Sequence, residues 1–149
     1  MYYETAEKLL EFIRKSPTAF HAVDTMKKTL AGHGFQELSE KELWSLTPGG
    51  NYMVTRNNSA LIAFSIPEKA PYSFHIMASH SDSPTFKIKE NPEITVEKAY
   101  VKLNVEKYGG MLMSPWFDRP LSVAGRVVVR ENGKLNEKRV AFEQILLMT

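Results

Sequence analysis

Phe74-His75-Ile76-Met77-Ala78-Ser79-His80-Ser81-Asp82-Ser83-Pro84 is an apolar run that ends in a small polar turn. The mostly apolar stretch from Tyr72 to Ala78, bounded by Pro71, reads as a buried strand, since a short apolar run closed by turn residues fits a strand covered on both faces. His80 and Asp82 then stand at the end of that strand, where α/β folds hold their ligands. The His-x-Asp spacing has a chemical use. An imidazole bound to zinc through one ring nitrogen gives its other N–H to a carboxylate, which fixes tautomer and ring orientation. His80 is accordingly a candidate metal ligand and Asp82 its orienter; the other reading of the same residues is a histidine and an aspartate capping a turn. His75 falls on the opposite strand face by alternation and is expected to be packed or hydrogen-bonded.

Upstream of this stretch the pattern is helical. Ala6, Leu9, Leu10 and Ile13 recur at i, i+3, i+4 and i+7, which places them on one face of a helix ending near Lys15. A second helix is expected to start at Ser16-Pro17, where proline's missing N–H does no harm, and to end at the Gly32 to Gly34 pair. Its apolar stripe is Ala19, Ala22, Val23, Met26 and Leu30, with His21 and His33 on the surface or partly packed. Ser39-Glu40-Lys41-Glu42 has the form of a capping box, predicting a short helix through Leu43, Trp44 and Leu46 that Pro48-Gly49-Gly50 stops. Tyr52, Val54 and Arg56 alternate with their neighbours, Asn57-Asn58 can supply the positive φ angles of a tight turn, and Ala60 to Ile66 returns as an apolar strand, which makes a β-hairpin.

Downstream the texture changes from about Phe86. Lys87 to Lys89, Ile94 to Val96, Tyr100 to Val105 and Gly125 to Arg130 are short runs of period two, and Asn132-Gly133 is a strong hairpin turn. Short strands after a mixed first half predict a second unit. The expected division is 1–87 and 88–149, an α/β part followed by a β-rich part. No internal repeat or low-complexity segment interrupts it.

Composition bounds the function. Of the 149 residues 43% are hydrophobic and 24% charged, the balance of a folded globular chain. The formal charge of +2 comes from lysines and arginines scattered among acids, with no basic stripe, so nucleic acid is not expected as a partner. With no cysteine, disulfides, thiolate metal ligands and a thiol nucleophile are excluded. Met1-Tyr2-Tyr3-Glu4-Thr5 lacks the basic and apolar regions of a signal peptide, and no apolar stretch is long enough to span a membrane, so a cytoplasmic address without membrane association is expected.

Several motifs then stand in order: Ser16-Pro17-Thr18-Ala19-Phe20-His21-Ala22-Val23, Gly34-Phe35, Trp44, Pro48-Gly49-Gly50-Asn51-Tyr52, Thr55-Arg56-Asn57, His80-Ser81-Asp82-Ser83-Pro84, Tyr108-Gly109-Gly110, and Trp116-Phe117-Asp118-Arg119-Pro120-Leu121 with Ala124-Gly125-Arg126-Val127. In this order and spacing the chain resembles the aspartyl aminopeptidases along nearly its whole length. The resemblance implies a di-zinc exopeptidase that removes an N-terminal Asp or Glu from peptides. It implies an α/β catalytic domain interrupted by an inserted β-rich domain used for dimerisation and larger homo-oligomers. On matching positions His80 corresponds to the family's first zinc ligand and Asp82 to the acidic residue that orients it. Asp118 and Arg119 fall in the inserted domain, where a structural ion pair or interface contact is implied, and Pro120 replaces a residue that is usually acidic there.

A zinc that activates water needs about three protein ligands, and a two-metal site needs a carboxylate bridging ions about 3.5–4 Å apart. His80 is one of that set, and no later segment resembles the bridging ligand, the general base or the remaining ligands. The 149 residues are therefore expected to be an amino-terminal portion, inactive alone, holding the first half of the catalytic domain and part of the inserted one. The apolar tail Phe142, Ile145, Leu146, Leu147 and Met148 has nothing after it to cover it. Exposed apolar surface and self-association are expected. Two other readings stay open: a non-catalytic binding or assembly module built on the same fold, and an unrelated β-rich interaction domain.

Overall fold

The computed structural model describes residues 2–70, 73–117 and 119–146. In chain order these form helices α1 (Tyr2–Lys15) and α2 (Ala19–Gly32), strands β1 (Gln36–Leu38), β2 (Asn51–Arg56), β3 (Ala60–Ser65), β4 (Thr85–Val96) and β5 (Tyr100–Tyr108), the single turn of helix α3 (Ser114–Phe117), and strands β6 (Leu121–Glu131) and β7 (Lys134–Leu146). Two compact units result. Met1–Ser81 with Val123–Glu143 make the first, and Asp82–Ser122 with the residues from Gln144 onward make the second.

In the first unit β1, β2 and β3 form a sheet in that order, β1 parallel to β2 and β2 antiparallel to β3. As the central strand, β2 carries three consecutive buried residues, Tyr52, Met53 and Val54. Helix α2 packs on β2 and β3 and contributes Ala22 and Val23, the latter 1% exposed. Phe64, directly opposite Tyr52 in register, brings its ring 5.6 Å from that of Tyr52 and 6.1 Å from that of Trp44. Ala22, Val23, Tyr52, Met53 and Val54 are the buried apolar side chains among the described residues.

The ends of α2 follow local rules. Thr18 caps the N-terminus, its Oγ1 accepting from the His21 backbone N–H. The helix thus begins at Ala19, two residues later than Pro17 predicts, because the hydroxyl at 18 supplies the cap. At the other end Phe35 N–H bonds the Leu30 carbonyl across Gly34, whose φ of +82° closes a Schellman turn. Asn57 and Asn58 both adopt the left-handed conformation and turn β2 into β3. Asn132 and Gly133 do the same between β6 and β7, which pair as a two-stranded sheet.

Two expectations are corrected. Residues 73–80 form no strand, and they are exposed, Phe74 by 85% and Met77 by 100%. An apolar run encodes a strand only where a neighbouring strand offers hydrogen bonds, and none among the described residues pairs with it. Pro71 and Tyr72, the start of that reading, lie outside the described residues. The helix expected from Ser39 is also absent. Ser39 Oγ accepts from the Lys41 N–H, one residue short of the capping position, and Glu40 forms a forked pair with Arg56 at 2.7 and 3.0 Å. Trp44 donates its indole N–H to the Ser39 carbonyl at 2.8 Å while its ring packs on Phe64, so side-chain packing holds this segment as a loop.

In the second unit β4 and β5 pair antiparallel. The two runs expected at Lys87–Lys89 and Ile94–Val96 belong to one strand with a bulge between Ile88 and Glu93, the place in the ladder where Pro92 needs to donate no hydrogen bond. Glu97 and Lys98 take positive φ to make the turn. Phe86 meets Trp116 edge-on at 5.5 Å and Phe117 at 6.4 Å, which seats α3 on the first residues of β4. Of the expected apolar tail, 147–149 lie outside the described residues.

Candidate functional site

His80 is exposed and closes the extended segment at the edge of the first unit. Its neighbour Ser81 donates from Oγ to the Ser59 carbonyl at 2.8 Å, which ties this stretch to the end of the β2–β3 turn. The division between the units falls directly after Ser81, so Asp82 opens the second.

Asp82 is exposed too, but its carboxylate has a fixed neighbour. Tyr108 donates its phenolic hydrogen to Asp82 Oδ2 at 2.6 Å, a short bond of the kind an ionised acceptor makes. That bond, and the carboxylate's charge beside it, hold the phenol above its ordinary 10.0, so the donor keeps its proton. Tyr108 is paired with Thr85 at the end of the β4–β5 ladder. The chain turns after it at Gly109, φ +76°, against the ring of Pro84. Tyr108-Gly109-Gly110 is noticeable in the sequence as a motif, but nothing local says that its tyrosine reaches a carboxylate 26 residues earlier.

A zinc ion asks for about three nitrogen, sulfur or oxygen donors from the protein. His80 brings one nitrogen of the right kind. Among the described residues no group of three or more His, Cys, Asp or Glu side chains could hold an ion. Of the pair Asp118 and Arg119, Asp118 lies outside the described residues, and Arg119 is exposed.

A second polar cluster lies within the first unit. Arg126 of β6 stacks over the Phe20 ring at 4.4 Å, donates to Asn57 Oδ1 at 3.0 Å and pairs with Glu137 at 3.2 Å. Glu137 also accepts from Asn58 at 3.2 Å, and Arg139 pairs with Asp24 at 2.8 Å. Burial opposes the Asp24 charge, but the Lys28 hydrogen bond and the nearby Arg139 and Lys27 outweigh it, leaving the carboxyl below its usual range. His21 is held below its ordinary 6.5 by burial first and by the Arg139 charge second. Each guanidinium here already has its carboxylate, and the cavity between them is only about 80 Å³, so the cluster reads as a clamp joining the β6–β7 hairpin to α2 and the β2–β3 turn.

Comparison with known proteins adds to this geometry. A family model described as aminopeptidase I zinc metalloprotease (M18) matches residues 12–148. A probable M18 family aminopeptidase 2 of Clostridium acetobutylicum is 52% identical over 89% of this chain and 31% of its own length. One of the same description from Pseudomonas paraeruginosa is 42% identical over 98% of this chain and 34% of its own. The chain thus spans about a third of the length of these relatives. Among solved structures, a chain in the cryo-EM structure of the Ape4 and Nbr1 complex aligns with a TM-score of 0.89 at 43% identity, over 93% of this chain and 27% of that one. Chaetomium thermophilum mApe1 aligns at 0.84 and 37% identity, over 92% of this chain and 32% of its own. The S. cerevisiae mApe1 dodecamer aligns at 0.83 and 29%, over 95% and 34%. The fold is the mixed helix and sheet of these aminopeptidases, over about a third of their length.

Proposed function

The chain belongs to the aminopeptidase I zinc metalloprotease (M18) family, and from that premise we propose that it acts as the amino-terminal portion of a zinc-dependent aminopeptidase that removes Asp or Glu from the N-terminus of peptides. The observation that carries this reading is the family match over residues 12–148. Residues 1–87 belong on this reading to the catalytic domain, and residues 88–149 to an inserted β-rich domain through which copies of the protein assemble. The matched mApe1 structure described as a dodecamer supports assembly. A cysteine-free composition supports a cytoplasmic location.

Zinc, when bound, supplies a Lewis acid and an acidified water for hydrolysis of the peptide bond. His80 gives it one nitrogen, and Asp82 holds the imidazole in the tautomer that presents that nitrogen. On this reading the remaining ligands and the general base would come from residues other than these 149, and the 149 residues alone are expected to be inactive. In the full-length protein, His80→Ala should remove one of two zinc ions and nearly all hydrolysis of a peptide beginning with Asp or Glu. Full zinc occupancy with retained turnover would refute the assignment.

The donor set, incomplete among the described residues, favours a second reading, in which the chain is a non-catalytic binding or assembly module of the same fold. Sequencing the gene past the codon for Thr149 separates the two. A frame that continues and encodes further Asp, Glu and His ligands supports the enzyme; one that stops there supports the module.

A further inference from the structure

We propose that the apolar stripe of α1 is a contact face for a second copy of this chain, the two helices lying antiparallel about a two-fold axis with Glu7 of each beside Arg14 of the other. Among the described residues of α1 only Phe12 of the apolar side chains is partly buried, while Tyr2, Tyr3, Leu9, Leu10 and Ile13 are each more than half exposed. A helix of 14 residues is marginal in water unless an amphipathic face is packed, so this stripe calls for a partner.

The charges indicate which partner. Glu4 pairs with Lys8 at 2.7 Å and Glu11 with Lys15 at 2.6 Å, both i,i+4 along the helix and both on the side away from the stripe. Neither pair uses Glu7 or Arg14. These two stand seven residues apart, within about 20° of each other around the axis. Leu10 lies three residues after the one and four before the other, so both border the stripe on its Leu10 side. One edge of the apolar face thus carries an acid toward one end and a base toward the other. Such a surface complements itself. In an isologous pair every contact occurs twice. When two such helices run antiparallel the same edge of each meets, which sets Glu7 against Arg14 of the other copy at both ends of the contact and brings the two Leu10 side chains together near the axis. A parallel pair would set that edge against the opposite one, where Thr5 and Phe12 offer no charge.

The test is sedimentation velocity of the 149-residue chain, with Ile76→Asp and Met77→Asp present so that the other exposed apolar segment does not contribute. Glu7→Arg and Arg14→Glu each turn two surface attractions into two repulsions, and each should weaken dimerisation about tenfold. Combined in one chain, the two substitutions exchange the charges and should restore the original strength. An equimolar mixture of the two single variants should do the same, because unlike charges then meet again. Cross-linking checks the direction. The chain has no cysteine, so Leu10→Cys introduces a single thiol, and mild oxidation should join it to its copy across the axis. In Tyr3→Cys the two thiols stand about 22 Å apart along the pair, about 15 residues of helical rise, and should stay unjoined. Dimerisation that ignores both charges overturns the proposal, and so does weakening that neither the exchanged chain nor the mixture reverses. Equal cross-linking of Tyr3→Cys and Leu10→Cys overturns the antiparallel arrangement. A Leu10→Cys thiol that is shielded from maleimide yet forms no disulfide overturns the proposal too, and shows that some other surface covers the stripe.

Discussion

A Cβ on Gly50 would come within 2.5 Å of the Tyr52 hydroxyl and 2.6 Å of its ring. That ring is fixed, because the hydroxyl accepts from the Thr47 N–H at 2.9 Å and meets Thr47 Oγ1 at 3.0 Å while the face packs on Phe64. Gly50→Ala is therefore expected to displace the best-buried aromatic side chain of the sheet and to cost about 1–3 kcal/mol, the usual range for overpacking. Denaturant unfolding checks it. Tyr52→Phe, which keeps the ring and removes the bonds to Thr47, should cost about 1 kcal/mol. At this scale the candidate site was only partly legible. His80 and Asp82 are conspicuous because their chemistry sits two positions apart. Tyr108 carries no local sign of its bond to Asp82, because a phenol bonded to a carboxylate looks in sequence like any strand tyrosine.

Local signals located the elements well. The Schellman glycine at 34, the paired asparagines at 57 and 58, and the Asn-Gly at 132 and 133 each act within a few residues, and each ends or turns the chain as the sequence implies. Elements that depend on distant partners were not legible: the segment 73–80 has strand composition without a paired strand among the described residues, and the loop at 39–46 is held by Phe64, some twenty residues away. The clamp on α2 gives a prediction in pH. The folded-state pKa of His21 lies below 6.5, so the unfolded chain takes up the proton first, and stability present above that value is lost as pH falls through the folded pKa. The folded pKa of Asp24 lies below 3.8, so its contribution is lost only in stronger acid. The urea midpoint should fall between neutral and mildly acid pH, and His21→Gln should abolish that part of the fall while leaving the later one. An unaltered profile in His21→Gln would show that other groups carry it. Arg139→Ala, which removes both the partner of Asp24 and the charge beside His21, should raise both pKa values toward their ordinary ranges, as carboxyl and imidazole NMR titrations would report.

The molecule as a whole carries much uncovered apolar surface. Leu9, Leu10 and Ile13 of α1 are more than half exposed, and so are Phe74, Ile76 and Met77. Surface of this extent favours association. The 149-residue chain is expected to self-associate with rising concentration in sedimentation velocity, and Ile76→Asp with Met77→Asp should shift it toward smaller species. No change in those variants would place the association elsewhere.

The clamp also sets a schedule. Asn57 meets its partner Arg126 across 69 residues, and Glu137 arrives later still. At about 5–20 residues per second on the ribosome, the nascent β2–β3 hairpin waits several seconds for the strands that grip its turn. During that interval α2 and the hairpin have only α1 and β1 beside them, and residues 82–122 of the second unit are made before the first can close. Folding of the first unit is thus paced by translation of what lies between its two parts, and slow codons or a bound chaperone over 82–122 would lengthen the time its small core stands open.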